Sequence, residues 1–145
     1  MNKIVPALLI SLLAAPSWAG VAATLYKDPY CGCCDEYVKY LNANGFKVNA
    51  IVSNDMSTIK KQLGSDKMAS CHTMQIKASN GRSYTVEGHV PVAAINKMLK
   101  QKPDIVGITV PGMPANSPGM GPEVKGTLKV YALNRENKEV LFSVE

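Results

Sequence analysis

Residues 28–45 read DPYCGCCDEYVKYLNANG, and the order of everything around them follows from how this stretch folds. Cys34, Val38 and Leu41 recur at helical spacing. Asp35 and Glu36 fall in the first turn, where the helix dipole favours acids, and Gly45 supplies a left-handed stop. The spacing predicts a helix over about 33–44 with three thiols, Cys31, Cys33 and Cys34, at its mouth. Unpaired N–H groups and the dipole favour thiolate there, which suits a redox CxxC pair with Cys31 as exposed nucleophile and Cys34 as resolving thiol. Cys33 is surplus to that chemistry and would invite wrong disulfides. Three soft donors on one helix end, with a fourth available from Cys71, suit Cu(I) or zinc instead.

Working outward, ATLYKDP, ending at Pro29, reads as a short strand closed by a turn. FKVNAIVS alternates as a strand, and NDMSTIKKQLG reads as a helix with Asn54 or Asp55 as cap and Gly64 as stop. HTMQIKAS and RSYTVEG are two strands joined by Asn80-Gly81, a strong hairpin signal. VPVAAINKMLKQK follows as a helix with Pro91 near its first turn and Ile95, Met98 and Leu99 on one face. A parallel strand pair around the first helix, then a hairpin covered by a last helix, is the arrangement of a thioredoxin-like α/β domain. Residues 104–126 are rich in proline and glycine and are expected to form an irregular loop or flap. TLKVYALN and KEVLFSVE then form a second hairpin around RENK. The expected organisation is a signal peptide over 1–19, a thioredoxin-like domain over 20–103, and a C-terminal extension over 104–145 that adds a loop and a β-hairpin and contributes to the metal site.

The signal peptide rests on Lys3, the apolar run IVPALLISLLAAP and the small-residue site SWA before Gly20. The run is shorter than the ~20 residues of a membrane span and holds Pro6 and Pro16, so no stable membrane insertion is expected. Setting Lys3 aside lowers the net charge from +5 to +4. The remaining basic residues are scattered, which argues against nucleic acid as a partner. No exposed apolar stripe calls for a second copy, so a monomer is expected. Export to an oxidising compartment makes disulfides the default for four cysteines, and Cys71 is read either as a ligand, as a buried small hydrophobe or as the disulfide partner of Cys33 or Cys31.

His72 and His89 both sit at element ends, where a lone histidine is more often a surface or capped residue than a ligand. A neutral imidazole nevertheless suits copper in either oxidation state. Met113 and Met120 stand on the Pro/Gly loop with no helical stripe to explain them. They are read as soft ligands or as apolar lids over the domain. No catalytic serine triad, HExxH helix or phosphate loop is present, which leaves hydrolase and nucleotide chemistry without residues.

Together, DPYCGCC, ASCHT, VEGHVP and VPGMPANSPGM resemble the periplasmic CxCC copper-resistance family, the CopG-type proteins, over about residues 24–144. The resemblance implies a thioredoxin-like domain, a C-terminal extension that helps bind metal, a copper cluster bridged by cysteine sulfurs, and interconversion of Cu(I) and Cu(II) ahead of efflux. By position it carries Cys31, Cys33, Cys34 and Cys71 as metal ligands. His72, His89, Met113 and Met120 match further blocks, and we add them as candidate ligands. Thioredoxins place a substrate-guiding proline before the hairpin's first strand, whereas SCHTMQ has none, which favours metal over protein disulfides. The expectation is a periplasmic protein that binds several copper ions per chain, with a copper carrier or efflux system as partner. The rivals are a thiol-disulfide oxidoreductase using Cys31 and Cys34, with Cys33 and Cys71 bridged, and a copper carrier or store without turnover.

Overall fold

The computed structural model describes residues 20–136 and 138–145; the expected signal peptide lies outside them. The elements run β1 (Val21–Lys27), α1 (Gly32–Ala43), β2 (Phe46–Val52), α2 (Met56–Leu63), β3 (His72–Lys77), β4 (Ser83–Glu87), α3 (Val92–Gln101), β5 (Gly107–Thr109), β6 (Lys129–Leu133) and β7 (Val140–Val144). The strands form one mixed sheet in the order β2-β1-β3-β4-β5-β6-β7. β1 and β2 are parallel with α1 crossing between them, while β3 runs antiparallel to both β1 and β4. This is the strand–helix–strand, hairpin and covering-helix arrangement expected from the sequence.

Local chemistry sets the element ends. The Asp55 side chain accepts from the Thr58 N–H to cap α2, and Gly64 closes that helix with φ of 74°. At the β3–β4 turn Gly81 has φ of 84°, and the Ala78 N–H donates to the Arg82 carbonyl across it. The expectation of an irregular stretch over 104–126 misses β5. Gly107–Thr109 pairs parallel with β4 and antiparallel with β6, so the sheet continues without a break into the C-terminal hairpin. Three residues are too few to leave a periodic signal amid prolines and glycines. Only glycine fits at 107, because a Cβ there would run into the Thr85 carbonyl.

One core cluster joins the described residues of both parts of the chain. Leu25, Met74 and Val86 from the sheet, Tyr37 and Leu41 from α1, and Ile95 and Met98 from α3 pack in the same cluster as Ile108, Leu128 and Val130 from the C-terminal part. Burying this apolar surface is the main stabilising contribution to the fold. It also fixes the end of the sheet at which β1 leaves, α1 begins and β3 starts.

Candidate metal centre

Backbone register brings Cys71 to the mouth of α1. Lys27 pairs with His72 at the end of the β1–β3 ladder, and the next N–H, of Asp28, donates to the Cys71 carbonyl at 2.8 Å. Cys31 is the N-cap of α1, and Cys33 and Cys34 lie in its first turn. The four sulfurs all lie within 4.8 Å of one another. Cys34 and Cys71 sulfurs are 3.5 Å apart, and those of Cys31 and Cys33 are 3.7 Å apart. The Cys31 sulfur also lies at bonding distance from both Cys34 and Cys71. A sulfur forms one disulfide, so those two pairings are alternatives.

Two expectations for these cysteines are corrected. Cys31 is not exposed: only 5% of its surface is accessible, because Cys34 and Cys71 cover it. Cys33 is not bridged to Cys71 but stands free and half-buried, since the first turn of α1 directs Cys31 and Cys34 inward.

Both histidines are wholly buried, which overturns the surface reading of their place at element ends. The physical reason is that β3 starts inside the molecule and that the loop before α3 is covered by the C-terminal segment. His72 Nε2–H donates to the Gly88 carbonyl at 3.1 Å. A carbonyl only accepts, so this bond puts the proton on Nε2 and leaves the Nδ1 lone pair toward the Cys34 sulfur, 3.4 Å away. Burial, helped by neighbouring His89 and by Lys60, lowers the His72 pKa to about 3, so the ring is neutral near pH 7. His89 Nδ1–H donates to the Pro118 carbonyl at 2.6 Å, which leaves Nε2 as a buried lone pair with no partner. Burial lowers its pKa as well. The two rings stand edge to face with centroids 5.0 Å apart.

The loop with the candidate methionines closes over this end of the molecule. Gly119, at φ of 79°, presses against α1 so closely that a Cβ would lie 2.8 Å from the Tyr37 nitrogen. Met120, the next residue, is 39% exposed. Met113 is half-buried and lines a cavity with Ser70, Glu87 and Gly88. Among the described residues the set of mutually close donor atoms is therefore the four cysteines, and His72 joins it through Cys34; neither Met113 nor Met120 belongs to that set.

Several residues of the centre escaped the sequence reading. Tyr37, which lies 5.3 Å from the His72 ring and 4.9 Å from the His89 ring, occupies the inward helical face assigned to Val38. Gly88 and Pro118 act through their carbonyls, which side-chain patterns do not reveal. The positive φ of Gly119 hides among many glycines in the loop.

A neutral histidine pair and four convergent sulfurs at a helix N-terminus, set on a mixed α/β sheet, define a protein with a soft-metal thiol centre. Two solved structures, named copper resistance protein copG form 1 and form 2, are each 40% identical to this chain, covering 87% of it and 98% of their own length, with a TM-score of 0.73. The chain belongs to the family of the copper resistance protein CopG. A family model described as a protein of unknown function, DUF411, matches residues 68–120. No curated protein matches the chain.

Proposed function

We propose that this is a periplasmic, thioredoxin-like copper-binding protein of copper resistance, which holds several Cu(I) ions in a cysteine-bridged cluster and interconverts Cu(I) and Cu(II) before export. The observation that carries this reading is the convergence of Cys31, Cys33, Cys34 and Cys71 within 4.8 Å. The family membership supports it. Copper is the cargo here, and its partners are a copper carrier or efflux system of the same compartment. The proposed organisation remains a signal peptide over 1–19, a thioredoxin-like domain over 20–103, and an extension over 104–145 that supplies loop residues to the centre. Among the described residues, no helix is long and apolar enough to cross a membrane.

Each thiolate carries one negative charge and has lone pairs for two metal ions, so bridging lets four sulfurs hold several monovalent ions with little net charge in a buried site. Loading releases the thiol protons. His72 is placed to accept the proton of Cys34 through Nδ1, or to offer that lone pair to copper, while Gly88 holds the ring in position. His89 offers the same donor type beside His72, with its ring held by Pro118. Imidazole accepts both copper states and thiolate favours Cu(I), so this mixed set tolerates a change of oxidation state, the one electron per ion passing to or from a redox partner or the thiols themselves. Met113 and Met120 supply soft sulfur on a loop that screens the cluster from water.

Anaerobic Cu(I) titration of the reduced protein tests the reading, with metal per chain and free thiols counted together. We expect several ions per chain, all four thiols protected, and a marked loss of bound copper in Cys71→Ser. Two stable disulfides and no retained copper would overturn it. A second reading, thiol-disulfide exchange through Cys31, is favoured by the contact of that sulfur with both Cys34 and Cys71. It predicts insulin reduction that Cys34→Ser abolishes, whereas the copper reading predicts none.

A further inference from the structure

Cys71 is the last residue of the loop 64–71, which joins the end of α2 at Leu63 to the start of β3 at His72. The side chain of Lys60 enters this loop from α2 and meets Glu87 at the end of β4. The Lys60 side chain is 7% exposed and that of Glu87 1%, a depth that lysine and glutamate almost never reach unless paired. All three ammonium protons are engaged: Lys60 Nζ donates to Glu87 Oε1 at 2.6 Å, to the Met68 carbonyl at 2.8 Å and to Ser70 Oγ at 3.1 Å. The Ser70 hydroxyl lies against Glu87 Oε1 as well, and it reaches the His72 carbonyl at 2.6 Å. One ion pair therefore ties residues 68, 70 and 72, on both sides of Cys71.

Stability alone does not account for this pair. Taking two charges out of water costs about as much as their attraction returns, and apolar residues of similar volume often replace a buried pair without loss. Its further effect is geometric. Glu87 is the register partner of Thr73, and the next residue, Gly88, accepts the His72 Nε2–H bond, so this corner of β4 holds both the backbone and the imidazole that follow Cys71. The bond from the Asp28 N–H to the Cys71 carbonyl fixes one point of the cysteine, and the ties at 68, 70 and 72 fix the chain around it. Such precision matters for a thiolate ligand, whose distance to its metal tolerates only about 0.2 Å.

We propose that Lys60 and Glu87 are positioning residues for Cys71, a reading that rests on the copper function: their ion pair holds the loop so that the Cys71 sulfur meets the mouth of α1 and completes the four-sulfur set. Neither side chain is a ligand; both act through Cys71, with Ser70 as the link between the pair and the loop.

The test replaces the pair as a unit, because removing one partner strands a buried charge and unfolds the chain for reasons unrelated to Cys71. Lys60→Met/Glu87→Leu should stay folded, with a Tm near that of the parent protein. Its Cu(I) affinity, read anaerobically against a chromophoric Cu(I) chelator, should fall about tenfold. In the metal-free reduced protein, alkylation of Cys71 by iodoacetamide, followed by peptide mass, should speed up while that of Cys33 stays unchanged. In a Cys71→Ser background the same double substitution should cause no further loss of copper affinity, which a general loosening of the fold would not spare. If the double variant does not fold, Ser70→Ala keeps the ion pair and removes only its link to the loop; it should give the same pattern with about a threefold loss. Parent-like affinity and Cys71 alkylation in a folded variant would overturn the positioning role, as would a loss of the same size in the Cys71→Ser background. A parent protein that binds no Cu(I) would overturn the copper reading instead, and the alkylation rates of Cys71 and Cys33 would still decide whether the pair holds the loop.

Discussion

Tyr37 is wholly buried, with its ring against both imidazoles and its hydroxyl donating to the Val90 carbonyl at 2.8 Å. Burial raises its pKa well above the ordinary value, so it remains a donor at any physiological pH. Tyr37→Phe keeps the ring but leaves the Val90 carbonyl unpaired, and should cost about 1–2 kcal/mol in urea unfolding with copper stoichiometry unchanged. At this scale the sequence identified the chemical groups and missed their surroundings. Cys31, Cys33, Cys34, Cys71, His72 and His89 are legible as soft or borderline donors from residue type and spacing. Their burial, and the tautomers set by Gly88 and Pro118, depend on carbonyls contributed by residues 16 and 29 positions away.

The elements that place these residues have separable roles. α2 is capped by Asp55, whose carboxylate is held below its usual range by the Thr58 N–H and the Ser57 hydroxyl. A depressed carboxylate pKa contributes stability above the unfolded value, here 3.8, and that contribution is lost as pH falls through the folded value. Asp55→Ala should therefore lower Tm at pH 7, and the gap to the parent protein should close below about pH 3.8. The loop over α1 depends on Gly119: an alanine there meets Tyr37 backbone and must hold a positive φ. Gly119→Ala should destabilise by about 1–2 kcal/mol and speed the reaction of the four thiols with a bulky thiol reagent, because the loop stands off α1. Helix caps, the Asn80-Gly81 turn and the helical faces were legible because each is written within a few residues. β5 was not: its pairing partners lie on β4 and β6, more than 20 residues away on either side.

For the molecule as a whole, the consequence of β5 is that residues 104–145 complete both the sheet and the core. β4 pairs with β5, and Ile108, Val110, Leu128 and Val130 belong to the same cluster as Leu25 and Met98. A chain ending at residue 103 exposes that surface and should lose its cooperative unfolding transition and its dispersed amide spectrum; a sharp two-state transition in that fragment would refute this. The α/β class, the order of the first elements and the list of soft donors were determined by the sequence itself, because helical and strand periodicity, capping residues and thiol spacing are local properties. Only the tertiary structure decided that Cys71 meets the CxCC turn, that both histidines are buried with fixed tautomers, and that Glu87 is buried in an ion pair with Lys60. Those facts depend on which strand lies next to which, and that order is set by packing a single apolar core rather than by any short stretch of chain.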